Sequence, residues 1–191
     1  MSNTEKLRQL LAERSVKRGQ FTLASGKSST IYIDARLTTM SPDGMVLIGM
    51  LGLECIRTKG WETDAVGGLT LGADPVAYAI SHTSAGETKP LRAFTIRKEA
   101  KTHGTGRQIE GPFRSGDRVV IIEDVITTGK SALQAIEAVA SEGGQILGVL
   151  AVVDRQEGGR EAVQSRGYDV TALVTIGELL ASFSPGDSGV S

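Results

Sequence analysis

Two kinds of apolar pattern alternate along the chain, and their order predicts the architecture. Near the start, Leu7, Leu10, Leu11 and Val16 recur at near-helical spacing among charged residues, which predicts a surface helix ending near Gly19. Residues 20–23 and 30–34 lean toward strand and flank the turn Ala24-Ser25-Gly26-Lys27-Ser28-Ser29, so a small hairpin outside the main sheet is expected. After Ser41-Pro42-Asp43, Met45, Val46, Ile48, Met50, Leu51 and Leu53 carry a helix to about Thr58, with proline in its first turn. Beyond it, short strand-like runs at residues 64–67, 92–95, 118–123, 146–153 and 169–174 are separated by helical patterns or loops.

Val119-Val120-Ile121-Ile122 and Val149-Leu150-Ala151-Val152-Val153 are nearly unbroken in apolar residues, as strands covered on both faces are. The fold class expected is therefore α/β, a mostly parallel sheet flanked by helices. No repeat and no linker divides the chain, which predicts one domain over residues 1–183, and the Ser, Gly and Pro content of 184–191 predicts a flexible tail.

Composition narrows the function classes. The 191 residues carry 21 Lys and Arg against 22 Asp and Glu, a formal charge of -1, which lacks the basic excess of a nucleic-acid binder. One cysteine excludes an intramolecular disulfide, and two histidines offer no structural zinc spacing, so a reducing compartment is expected. No apolar run approaches the roughly 18–20 residues that span a bilayer, and the first twenty residues are charged and amphipathic, unlike a signal peptide; a cytoplasmic protein without membrane partners is expected. Glycine is enriched, at 24 residues, which predicts tight turns or backbone-lined binding loops.

In an open parallel sheet, ligands collect beyond the carboxyl ends of the strands. The segment there with the most chemistry is residues 119–131: an apolar strand, Glu123 and Asp124, then Val125-Ile126-Thr127-Thr128-Gly129-Lys130-Ser131 opening a helix over 131–140. A helix N-terminus and its turn offer unpaired N–H groups that suit a phosphate monoester, and Thr127, Thr128 and Ser131 add hydroxyls. Carboxylates accept from sugar hydroxyls, so the combination describes a phosphorylated ribose. A Walker A loop is excluded because Asp124 stands where its first glycine belongs, and Gly104-Thr105-Gly106 is no dinucleotide fingerprint because Ile109 replaces the third glycine. A second segment, residues 97–111, holds Arg97, Lys98, Lys101, Arg107 and His103 among glycines; alone it reads equally as a solvated loop or as a mobile loop that gathers around a polyanion.

The 119–131 segment resembles the phosphoribosyl diphosphate (PRPP) signature of the type I phosphoribosyltransferases. Arg97-Lys98-Glu99-Ala100-Lys101-Thr102-His103-Gly104, followed by Ile109-Glu110-Gly111, is similar to the catalytic loop of the orotate branch of that family. Phe21-Thr22-Leu23-Ala24-Ser25-Gly26 resembles the N-terminal hood of the same branch, here contributed by about residues 1–36, although some relatives have lysine where Ala24 stands.

The resemblance implies transfer of 5-phosphoribosyl from PRPP to orotate, giving orotidine 5'-monophosphate and diphosphate in UMP biosynthesis. It also implies Mg2+ carried by PRPP and water, without direct protein ligands, near Glu123 and Asp124. Lys101, Lys98 and His103 would be catalytic, with Arg97 also on the diphosphate. Residues 123–131 would bind PRPP, and Thr127, Arg155, Ser25, Gly26 and Lys27 would bind orotate. Lys98 would reach the neighbouring site of a homodimer. Leu69-Thr70-Leu71-Gly72 matches the diphosphate loop, where a non-proline cis peptide is common and some relatives have lysine at Leu71. A purine phosphoribosyltransferase, and a PRPP-sensing regulator that binds nucleic acid, are the rival readings; a fold alone excludes neither. Cys55 reads as a small buried hydrophobe, Phe21 and Tyr32 as packing residues, and Trp61 and His82 as packing or surface residues.

Overall fold

The structure is a computed structural model that describes residues 1–22, 28–99 and 108–182. The first helix, α1 (Asn3–Ser15), starts on a capping box in which the Ser2 hydroxyl accepts from the Glu5 amide and Glu5 accepts in return from the Ser2 amide. It ends four residues earlier than the spacing predicts. Val16 is extended and pairs with Ile33, so β1 (Val16–Thr22) and β2 (Ser28–Ile33) form an antiparallel hairpin apart from the main sheet. A β-branched residue that finds a cross-strand partner leaves the helix despite its place in the stripe. Leu7 and Leu11 are fully buried, so this helix is no mere surface element.

A short α2 (Arg36–Thr39) leads to α3 (Pro42–Thr58), which begins as predicted with the Ser41 hydroxyl accepting from the Gly44 amide. Then come β3 (Ala65–Leu69), α4 (Ala73–Thr83), β4 (Arg92–Ile96), β5 (Ile109–Glu110) and β6 (Arg118–Ile126). The chain continues through α5 (Lys130–Ser141), β7 (Gln145–Asp154), α6 (Gly159–Gln164), β8 (Val170–Thr175) and α7 (Ile176–Ala181). The six-stranded sheet has the order β5-β4-β3-β6-β7-β8 and is parallel except for β5, which runs antiparallel against β4. The two-residue β5 is too short for periodicity to reveal.

Alternation along the central strands sends side chains into two cores. Val120, Ile122, Leu150 and Val152 join Leu7, Leu11, Ile48, Ile80 and Leu179 from α1, α3, α4 and α7 on one face. Val119, Ile121, Val149 and Ala151 join Ala132, Ala135, Ile136, Val139 and Val163 from α5 and α6 on the other. Covering both faces is what the unbroken apolar runs require. β3 and β6 lie side by side, and the connection from β3 through α4 to β4 packs on one face of the sheet while that from β6 through α5 to β7 packs on the other. This switch point opens a crevice at the strand ends, where open α/β sheets bind ligands. No helix among the described residues is long and apolar enough to cross a membrane.

Candidate active site

The crevice holds a cavity of about 560 Å³ lined from four directions: Tyr32 to Arg36 at the end of the hairpin and start of α2, Leu69 to Gly72, Lys98, and Glu123, Asp124, Val125, Thr127 and Ser131 with Arg155. A smaller recess of about 70 Å³ adjoins it, lined by Glu123, Val125, Ile126, Thr127, Thr128, Gly129, Lys130 and Ser131 at the start of α5. Glu123, Val125, Thr127 and Ser131 line both.

β6 runs to Ile126, so the acid pair sits inside the strand and not beyond it, a correction of three residues to the predicted 118–123. Pairing continues because Val125 and Ile126 still meet Val153 and Asp154 of β7. Glu123 is 7% exposed, and its Oε1 has no hydrogen-bond partner. Burial, and then the neighbouring charge of Asp124, push its pKa up to about 8. Burial also raises that of Asp124, although its Oδ1 accepts from the Val125 amide at 2.9 Å. A buried carboxyl without a partner costs free energy unless something outside the chain completes it. A vicinal diol would do so.

The recess is built from backbone. Gly129 caps α5 at a φ of 76°, and a Cβ there would stand 2.7 Å from the Gly159 carbonyl oxygen, so no other residue fits. No side chain caps α5, whose first residues line the recess. The helix starts at Lys130, one residue before the predicted Ser131.

Opposite the acid pair, Leu69-Thr70-Leu71-Gly72 leaves β3, and the Thr70–Leu71 peptide is cis, as the resemblance implies. A Cβ on Gly72 would approach the Asp124 carboxyl to 2.5 Å. Glycine thus lets this loop touch the strand that carries the acids. Leu71 is 61% exposed, so the loop presents backbone and an apolar tip, not a charge.

Among the predicted orotate residues, Thr127 and Arg155 come together at the cavity. The Arg155 side chain is only 9% exposed; it pairs with Glu157 at 2.7 Å and reaches Ser29 of the hairpin at 3.5 Å. Lys98 lines the cavity of its own chain. Arg97 does not line it: its guanidinium pairs with Glu110 at 2.9 Å, because the β4–β5 register sets Glu110 opposite Thr95, two residues before Arg97 and diagonal to it. Lys101, His103, Ser25, Gly26, Lys27 and the tail 184–191 lie outside the described residues.

Asp34 and Arg36 line the cavity and went unassigned in the sequence. They form a two-pronged ion pair at 2.8 and 3.0 Å, which holds Asp34 below the usual carboxylate range. Their signal, an acid and a base two apart at a strand end, is indistinguishable from a local surface pair. Tyr32 packs on Phe21 with ring centroids 5.6 Å apart, as expected, yet it also lines the cavity. Trp61 fills the space beside Gly148, Cys55 is half-buried with a thiol pKa raised by burial, and His82 is exposed.

Residues 42–174 match the model of the phosphoribosyl transferase domain. The orotate phosphoribosyltransferase of Aquifex aeolicus (strain VF5) is 46% identical over 183 residues, 94% of this chain and 99% of that one. That of Synechocystis sp. (strain ATCC 27184 / PCC 6803 / Kazusa) is 49% identical over 89% of this chain and 85% of its own. Among solved structures, Mycobacterium tuberculosis H37Rv orotate phosphoribosyltransferase in complex with PRPP superposes with a TM-score of 0.79 at 39% identity, covering 93% of this chain and 99% of that one.

Proposed function

From the premise that the chain belongs to the phosphoribosyl transferase domain family, among its orotate phosphoribosyltransferases, we infer how its own residues divide the reaction. The activity is transfer of 5-phosphoribosyl from PRPP to a ring nitrogen of orotate, releasing diphosphate. The observation that supports this division is the meeting of three features around one cavity: an orphaned carboxyl, an uncapped helix start, and a glycine loop against the acids.

The recess at Thr127 to Ser131 takes the 5-phosphate on backbone N–H groups and hydroxyls. Glu123 and Asp124 accept from the ribose hydroxyls, which fixes the sugar with its C1 toward the diphosphate loop. Arg155 and Thr127, with the hood residues Ser25, Gly26 and Lys27, hold orotate, the guanidinium facing its carboxylate. As the bond from C1 to diphosphate breaks, positive charge grows on the sugar ring and negative charge on the leaving group. Thr70 to Gly72, Arg97, Lys98, Lys101 and His103 answer the second charge. Removing one such partner typically costs about 3–4 kcal/mol of transition-state stabilisation. No nucleophile of the chain is needed.

Mg2+ fits this site as a passenger of PRPP. No three His, Cys, Asp or Glu side chains converge among the described residues, while the open oxygen of Glu123 suits a hydrated contact. Bound there, the ion would neutralise charge on the departing diphosphate.

A homodimer with Lys98 serving the neighbouring site completes the proposal. Exposed apolar side chains support it: Leu37 and Met40 are 49% and 50% exposed and line a recess with Leu71 at the cavity rim, and Val46 and Met50, 60% and 44% exposed, line another with Met45. Exposed apolar surface grouped in this way marks an association site. The deciding assay follows orotate absorbance with PRPP, with and without Mg2+, and offers adenine, guanine, xanthine and uracil as rival acceptors. Turnover confined to orotate is expected; turnover of a purine in its place would overturn the reading.

A further inference from the structure

Asp74 stands in the first turn of α4, outside the cavity lining, and the division of roles above leaves it unused. Each of its carboxylate oxygens accepts a hydroxyl. Thr70 Oγ1 donates to Oδ2 at 2.8 Å, and Thr95 Oγ1 donates to Oδ1 at 2.8 Å. Thr95 also shares a 2.7 Å hydrogen bond with the Tyr78 hydroxyl.

The two threonines belong to different parts of the site. Thr70 opens the diphosphate loop, and its N–H donates to the Ile96 carbonyl at 2.9 Å. Thr95 lies near the end of β4, paired with Glu110 of β5, three residues before Lys98. One carboxylate therefore ties the loop on β3 to the strand end that delivers a cavity-lining lysine. An acid in the first turn of a helix also complements the helix dipole, but that effect needs only the charge and neither threonine.

We propose that Asp74 is a positioning residue for phosphoribosyl transfer: by holding Thr70 and Thr95 together, it fixes the diphosphate loop relative to the β4 end, so that the loop keeps its place against the departing diphosphate. The proposal rests on the reading of the cavity given above. Misplacing a reacting group by about 1 Å can cost on the order of 100-fold in rate, so a brace on the diphosphate loop has a measurable consequence.

The test compares wild type with Asp74→Ala, Thr95→Val and Asp74→Asn. Kinetics are measured with PRPP varied at saturating orotate, and calorimetry titrates inorganic diphosphate and, separately, orotidine 5'-monophosphate, which fills the 5-phosphate, sugar and base sites but not the diphosphate site. Asp74→Ala and Thr95→Val should each lower kcat/KM for PRPP by about 10–100-fold and weaken diphosphate binding, with orotidine 5'-monophosphate affinity kept within twofold. Asp74→Asn, which keeps one acceptor and gains a donor that a hydroxyl can accept, should recover part of the loss. The double variant Asp74→Ala/Thr95→Val should be no worse than Asp74→Ala, since residues of one network do not add.

Unchanged kcat/KM for PRPP in Asp74→Ala, equal loss of both ligands, or additive effects would each overturn the proposal. The isosteric Thr95→Val variant decides the matter should Asp74→Ala not fold. Failure of the wild type to turn over orotate would instead overturn the reading of the cavity.

Discussion

Replacing Glu123 with glutamine should raise the stability of the substrate-free protein in neutral and alkaline solution while weakening its hold on PRPP. Burial moves the carboxyl from 4.5 to about 8, so between those values the folded chain keeps a proton that the unfolded chain has released. The sign follows from linkage: stability is greatest below pH 4.5, falls as pH rises through the window, and levels off above pH 8. At about 1.4 kcal/mol per pKa unit, the loss comes to about 3 kcal/mol at pH 7 and about 5 kcal/mol well above pH 8.

Glutamine does not titrate, so this dependence disappears. Its amide carries a desolvation cost of about 1–3 kcal/mol that is constant with pH, which makes the difference between the two proteins across pH the quantity to measure. Urea unfolding at pH 5 and pH 8, without substrate, should show the variant gaining about 3–4 kcal/mol on wild type over that interval. Calorimetry with PRPP at pH 9, where the carboxyl is ionised, should show a loss of about 10–100-fold in affinity, the worth of a hydrogen bond to a charged group. Parallel stability curves for the two proteins would refute the reasoning, because they would mean that Glu123 is solvated or satisfied in the folded chain.

Other perturbations separate the remaining roles. Lys101→Ala should cut kcat by about 100-fold or more while orotate affinity moves less than threefold, read by steady-state kinetics and calorimetry, since its charge is used as the leaving group departs. Mixing inactive Lys98→Ala and Asp124→Ala proteins should restore partial activity through one intact hybrid site, and no recovery after confirmed subunit exchange would count against a shared site. Arg155→Lys should raise the KM for orotate about tenfold with that for PRPP unchanged, because an ammonium cannot match a carboxylate with two parallel bonds. Met50→Glu should shift the protein toward monomer in sedimentation velocity, as a charge enters the exposed apolar surface.

The central sheet was legible because burial on two faces writes itself as uninterrupted Val, Ile and Leu, and the five long strands were found to within three residues at either end. Residues 123–131 were legible as chemistry because two acids and three hydroxyls at a strand end have no packing rationale. What escaped depends on partners distant in sequence. Val16 looks helical until Ile33 pairs with it, and β5 exists only because β4 lies alongside. Asp74 looks like an ordinary helix-start acid until Thr95, twenty-one residues on, donates to it. The ion pair of Arg97 with Glu110 follows from strand register, which a linear motif does not carry.

That same register has a consequence for how the chain can change. The Arg97 amide donates to the Gln108 carbonyl at 3.0 Å, the Gln108 side chain returns a bond to the Arg97 carbonyl at 2.9 Å, and Glu110 clasps the guanidinium. Both ends of the intervening stretch are thereby knotted together at the sheet margin. The entropy cost of closing a loop grows slowly with its length, so a change of length between the knots costs little once they are tied. The sheet margin can therefore keep its pairing while the number of residues between the knots varies.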